Sequence, residues 1–142
     1  MNIYHDIDNI NVHDISYYKA IQNKIMHYKY FYKIIYNLGL FTLNTLIINV
    51  DANDITVHKE NNIYKVSFIL DSVFLEKLKK LESSILENIN HITNKKIAYS
   101  FNKYINKMVY TTNCPTVRLS LRISGIWESE TQIGITSKLT IN

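Results

Sequence analysis

TVRLSLRISGIW, residues 116–127, decides how the rest of the chain is read. Val117, Leu119, Leu121, Ile123, Gly125 and Trp127 alternate with Arg118, Ser120, Arg122 and Ser124. Side chains on a strand point to its two faces in turn, so this pattern predicts a β-strand with one apolar and one cationic face. Glu128-Ser129-Glu130-Thr131 interrupts the pattern, and QIGITSKLTI (132–141) resumes it through Ile133, Ile135 and Leu139. Together the two segments predict a hairpin.

Working back from that hairpin, DSVFLEKLKKLESSILENINHIT (71–93) changes period. Phe74, Leu78, Leu81, Ile85, Ile89 and Ile92 recur at steps of three and four, which predicts a helix of about six turns with one apolar stripe. Asp71 or Ser72 can cap its first turn, and Glu76 with Lys80 is a favourable pair one turn apart. Upstream, IYKVSFIL (63–70) and LFTLNTLIINV (40–50) are rich in β-branched and aromatic residues and read as strands. A short strand at 55–59 is expected to pair with 63–69 across Glu60-Asn61-Asn62, and Asp51-Ala52-Asn53-Asp54 reads as a turn. HYKYFYKIIYN (27–37) fits either period, and its density of Tyr, Phe and Ile favours a strand over 28–36. Segments 14–26 and 97–110 stay open between helix and strand, and 111–116 reads as a loop.

With the short 55–59 strand left aside, the resulting order is three strands, one long helix and two strands. A five-stranded Greek-key barrel of the OB type has its helix between the third and fourth strands. The expected fold is therefore α+β, mainly β, OB-like, in one domain over 1–142, with 1–26 as an N-terminal extension.

Ile, Asn, Lys and Tyr make up 65 of the 142 residues. Their codons are A/T-rich, so part of the Tyr and Lys abundance reflects base composition rather than chemistry. The formal net charge is only +4, but it is unevenly spread: Asn88–Trp127 holds no Asp or Glu, while Lys95, Lys96, Lys103, Lys107, Arg118 and Arg122 fall there. Such an asymmetry attracts phosphates, and a solvated face is the plainer alternative. No apolar run approaches the ~20 residues that span a bilayer, and MNIYHDIDNI is too acidic and interrupted for a signal peptide. Lone Cys114 cannot form an internal disulfide, and none of the 17 asparagines lies in a glycosylation sequon. An intracellular protein without membrane partners is expected.

Other chemistries find little support. His5, His13, His27, His58 and His91 are scattered, and one cysteine rules out the common Cys-rich zinc sites. Asp51 and Asp54 read as turn formers, and Glu128 and Glu130 as solvated turn residues rather than an acid/base couple. Cys114 has no nearby histidine in sequence, and Gly39, Gly125 and Gly134 are too dispersed to cradle a phosphate. Neither an enzyme nor a cofactor or metal is expected.

LRISGIWESETQIGITSKL (121–139), with YNLGLFTLNTLIINV (36–50) and the 71–93 helix, resembles the OB-fold single-stranded DNA-binding proteins of large eukaryotic DNA viruses. The likeness covers roughly 28–140 and rests most on Ser124-Gly125-Ile126-Trp127-Glu128 with Gly134-Ile135-Thr136. It implies a non-enzymatic, weakly sequence-selective single-strand binder of viral DNA replication or recombination, at the host nucleus or a cytoplasmic replication site. Many such binders recruit replication proteins through an acidic tail. This chain ends SKLTIN, which puts that route in doubt.

On such a protein, cations would follow the phosphate backbone and aromatic rings would stack on bases. Arg118, Arg122, Lys103, Lys107, Lys29 and Lys33 are the candidate phosphate ligands. Tyr30, Tyr32, Tyr36 and Trp127 are the candidate platforms, although Trp127 alternates with Leu121 and Ile123 and so reads first as core. Lys29, Phe31 and Lys33 should face away from the even-numbered tyrosines. Single-stranded DNA is the expected partner, RNA is equally compatible, and a homo-oligomer or replication proteins stay open. An assembly module working through an edge strand is the alternative.

Overall fold

A computed structural model describes residues 2–18, 21–22, 30–114 and 117–141. Short strands β1 (Tyr4–His5), β2 (Ile15–Tyr17) and β3 (Ile21–Gln22) precede the long β4 (Tyr30–Asn37). Next come β5 (Thr42–Leu43), β6 (Leu46–Asn49), β7 (Ala52–Glu60), β8 (Ile63–Leu70) and the helix α1 (Ser72–Thr93). After α1 follow β9 (Lys96–Ala98), a 3-10 turn at Phe101–Ile105, β10 (Met108–Thr112), β11 (Leu119–Glu128) and β12 (Gln132–Ile141).

The helix forms where the 3.6-residue stripe predicted it. Asp71 caps it, accepting from the Phe74 N–H at 3.1 Å, and that bond holds the carboxyl below its usual range. Asn94 ends it in the left-handed conformation at φ 50°, which asparagine tolerates. Phe74, Leu78, Leu81, Ile85 and Ile89 are buried as expected, together with Leu75 and Leu86; the side chain of Ile92 lies outside the described set. Truncating a fully buried member such as Leu78 or Leu86 to Ala costs about 2–5 kcal/mol.

The strands form two sheets. The larger runs β1-β6-β11-β12-β9, with β4 also paired to β11 and β2, β3 and β5 paired to β4. The smaller runs β10-β8-β7. The inner faces of both sheets and the stripe of α1 share one core, including Ile34, Leu46, Ile48, Phe68, Leu121, Ile126 and Ile133. The chain is thus mainly β with one long helix, but the sheets stay open and no barrel closes among the described residues. The topology shows why. β6 and β4 share one edge of β11, the first along Ser120–Ile123 and the second along Gly125–Glu128. The β7–β8 hairpin turns away to pair with β10 instead.

Other departures are local. Residues 40–50 break into β5 and β6. The turn expected at Asp51–Asp54 is instead the start of β7: Ala52 and Asn53 pair with Leu70 and Ile69, and Asp54 takes φ 53° where the register shifts. The β7–β8 turn sits at Asn61-Asn62 as expected, both at positive φ, the geometry of a two-residue hairpin loop. Segment 97–110 is neither one helix nor one strand. β9 ends at Ala98, the 3-10 turn follows, and β10 begins at Met108 and takes in Thr111 and Thr112. The buried Glu82 carboxylate fixes that turn, accepting from the Ser100 N–H at 2.8 Å, the Ser100 hydroxyl at 2.9 Å and the Phe101 N–H at 3.3 Å. The described residues of the N-terminal segment 1–26 form short strands and 3-10 turns, with β1 parallel to β6 and β2 antiparallel to β4.

Candidate nucleic-acid interface

A one-residue irregularity organises the outer face of the larger sheet. Along β11, Leu119, Leu121 and Ile123 pair with Ile141, Leu139 and Ser137, and all but Ser137 belong to the core that α1 shares. The register then slips: Ile123 faces Ser137, but Gly125 faces Thr136. Ser124 is the extra residue of a β-bulge, and a bulge reverses the inside-outside alternation beyond it. Ile126 and Glu128 consequently point inward, and both are buried. Gly125 and Trp127 move to the outer face with Arg122. Trp127, expected beside Leu121 and Ile123, is half-buried on the opposite side of the sheet.

Register carries this assignment across the sheet. In β4, Phe31 pairs with Trp127 and Lys33 with Gly125, so both lie on the outer face; Tyr32 pairs with Ile126 on the inner one. In β12, Gly134 faces Trp127 and Lys138 faces Arg122. Two glycines make room for the two rings. A Cβ on Gly134 would collide with the indole of Trp127, and one on Gly125 would collide first with the Tyr32 carbonyl oxygen and lie 2.6 Å from the ring of Phe31. Only glycine lets each ring lie that close over the backbone.

The outer face therefore presents two rings followed by cations. Lys33 lies opposite Gly125, and Arg122 and Lys138 are cross-strand partners beyond the bulge. At the far end Arg118 stacks on Tyr4, 3.7 Å from the ring centroid, and donates to Asn49 Oδ1 at 3.4 Å. Trp127 to Arg118 is about 30 Å by strand rise, and Arg118 to Arg122 about 13 Å. No Asp or Glu alternates onto this face from β4, β6, β9, β11 or β12, but Asp6, just after β1, reaches its Arg118 end, accepting from Asn49 Nδ2 at 3.0 Å. Thr136, beside Gly125, has a buried Oγ1 without a hydrogen-bond partner.

The remaining sequence-predicted residues divide. Tyr32 is engaged on the inner side, donating to Glu128 Oε1 at 2.6 Å. Burial, then this bond and the Glu128 charge, push its phenol up to about 12. Lys95, within the acid-free stretch, donates to Glu128 Oε2 and, at 2.6 Å, to the Ser129 carbonyl; it closes a partly buried ion pair. Tyr30 has the inner parity of Tyr32, and Tyr36 is a core residue. Lys103 and Lys107 do not share a helical flank. Lys103 sits on the 3-10 turn, its ammonium 5.1 Å from the Tyr104 ring centroid, and Lys107 is exposed before β10. Lys29 lies outside the described residues, as do Tyr28 and His27. Among the described residues no three His, Cys, Asp or Glu side chains come together as a metal site, and no helix is long and apolar enough to cross a membrane.

Phe31, Lys138 and Thr136 were not singled out as site residues from the sequence. Phe31 had a signal in its odd-numbered parity with Lys33. Ile126 carried the sign of the bulge, an apolar residue where strict alternation calls for a polar one. Comparison with family models, curated proteins and solved structures gives no match for this chain.

Proposed function

We propose that this protein binds single-stranded nucleic acid, without catalysis and with little sequence preference, on the outer face of its larger sheet. The observation that carries the reading is the pair of rings, Phe31 over Gly125 and Trp127 over Gly134, on a face with Lys33, Arg122 and Lys138. Stacking on such rings is worth about 1–3 kcal/mol per base whatever the base, and the cations follow the backbone. The sequence resemblance supports single-stranded DNA as the ligand and replication or recombination of a large DNA virus as the setting. The same proposal takes the fold as an opened relative of the OB barrel, supported by the helix lying between the β7–β8 hairpin and the β11–β12 hairpin.

The test is fluorescence anisotropy of a labelled oligo-dT across a salt series, with duplex DNA as competitor and oligo-U alongside. The expected result is binding that resists duplex and weakens with salt, with a log–log slope near −0.7 per phosphate neutralised. Lys33→Ala and Arg122→Ala should each reduce that slope by about 0.7. Absence of binding at low salt, with the fold intact by circular dichroism, would sink the proposal.

One observation favours a second reading, assembly through an edge. Among the described residues β7 is paired on one side only, and Ile55 and Val57 are 47% and 44% exposed on it. Salt-independent oligomers abolished by Val57→Lys would favour that reading.

A further inference from the structure

The platform has a neighbour that the proposed function does not use. β9 pairs with β12 only over Gln132–Gly134, so the same edge of β12 beyond Gly134 is unpaired among the described residues. β10 is likewise an edge strand, the last of the smaller sheet. Between these edges lies a cleft of about 470 Å³ lined by Lys103, Tyr104, Met108, Tyr110, Ser137, Lys138 and Leu139. Its lining contains two cations and no acid. Tyr110 stacks one ring face on Phe68, centroids 5.8 Å apart and planes 15° from parallel, and also lines the cleft.

Lys138 belongs to both places. It is the cross-strand partner of Arg122 on the outer face, and it forms one wall of the cleft. Ser137, of opposite parity, lines the cleft too, so the cleft opens at the strand's edge rather than on either face. A chain following the cations outward from the rings meets Arg122, then Lys138, then Lys103.

We propose that a bound single strand continues from the outer face over the edge of β12 at Lys138 and into this cleft. There Lys103 pairs with a further phosphate and Tyr110 supplies a third stacking surface. This rests on the single-strand reading of the platform and extends it to a bipartite site. Charge decides between occupants: an extended protein segment could add to either edge through its backbone, but two lysines without an acid favour a polyanion.

The experiment is a length series of labelled oligo-dT, from four to twelve nucleotides, on the wild-type chain, Lys103→Ala and Tyr110→Leu. Wild-type affinity should rise with length to a plateau. Tyr110→Leu should cost about five- to 150-fold on long oligonucleotides only, the range for one stacked base. Because Tyr110 touches Phe68, the exposed Lys103→Ala is the control for folding. Lys103→Ala should lower the salt slope by about 0.7 on long oligonucleotides and leave short ones unchanged. Equal effects of Lys103→Ala at all lengths, or none at any, would overturn the cleft while leaving the platform standing, and would give the β12 edge to a protein strand. Failure of every length to bind the wild type would overturn the platform itself.

Discussion

The bulge at Ser124 makes opposite demands on adjacent residues, and mutating both tests it. Ile126 is 1% exposed in the core, so Ile126→Ala removes a full branched side chain from close packing. Its cost should be about 2–5 kcal/mol, with no change in intrinsic affinity for a single strand. Trp127 is half-buried and lies over Gly134 on the outer face. Trp127→Ala should cost about 1.5–2.5 kcal/mol, half the usual penalty for a buried aromatic ring. It should weaken oligo-dT binding by the 1–3 kcal/mol of one stacked base, about five- to 150-fold in Kd. Urea unfolding followed by fluorescence or circular dichroism gives the stabilities, and anisotropy gives the affinities. If Trp127→Ala proves the more destabilising change and Ile126→Ala is silent, residues 125–128 keep unbroken alternation and the reasoning fails.

Other outcomes follow from the buried polar groups. Lys95→Met leaves the Glu128 carboxylate buried without its cation and should destabilise the fold by about 3–5 kcal/mol, read by urea unfolding, with the salt slope of binding unchanged. Glu82→Ala strips three donors of their acceptor at the 3-10 turn and should cost at least about 1–3 kcal/mol by the same assay. Tyr32 has a raised folded-state value, so its contribution to stability is complete below about 10, the unfolded value, and is lost as pH rises through about 12. Tyr32→Phe should flatten that alkaline loss, measured as urea midpoints between pH 9 and 12.

The elements that the sequence reveals are those whose period is unbroken. The stripe from Phe74 to Ile89 can only be a helix, and Asp71 marks its start, so α1 is found nearly to the residue. The β11–β12 hairpin is visible for the same reason. Its facing is not, because Gly125 conceals the slip: having no side chain, it fits either face, and Trp127 then reads as continuing the row of Leu121 and Ile123. The barrel expectation went astray at another level. Which strand pairs with which depends on contacts distant in sequence, and β9 and β10, between α1 and β11, were hidden in a segment with no clean period. Lys95 shows the limit of counting charge, since the Glu128 that neutralises it lies just beyond the acid-free stretch.

Phe31 and Trp127, the two halves of the platform, come from opposite ends of the chain; the bond between their neighbours Tyr32 and Glu128 spans 96 positions. Pairings so far apart in sequence form late and slowly in folding. During synthesis the first ring and Lys33 emerge long before the strand that completes the surface. A growing chain on the ribosome therefore carries tyrosines and lysines but no assembled platform, even with messenger RNA close by. The platform exists only once β11 and β12 have been made and docked, so loss of that hairpin alone would remove it.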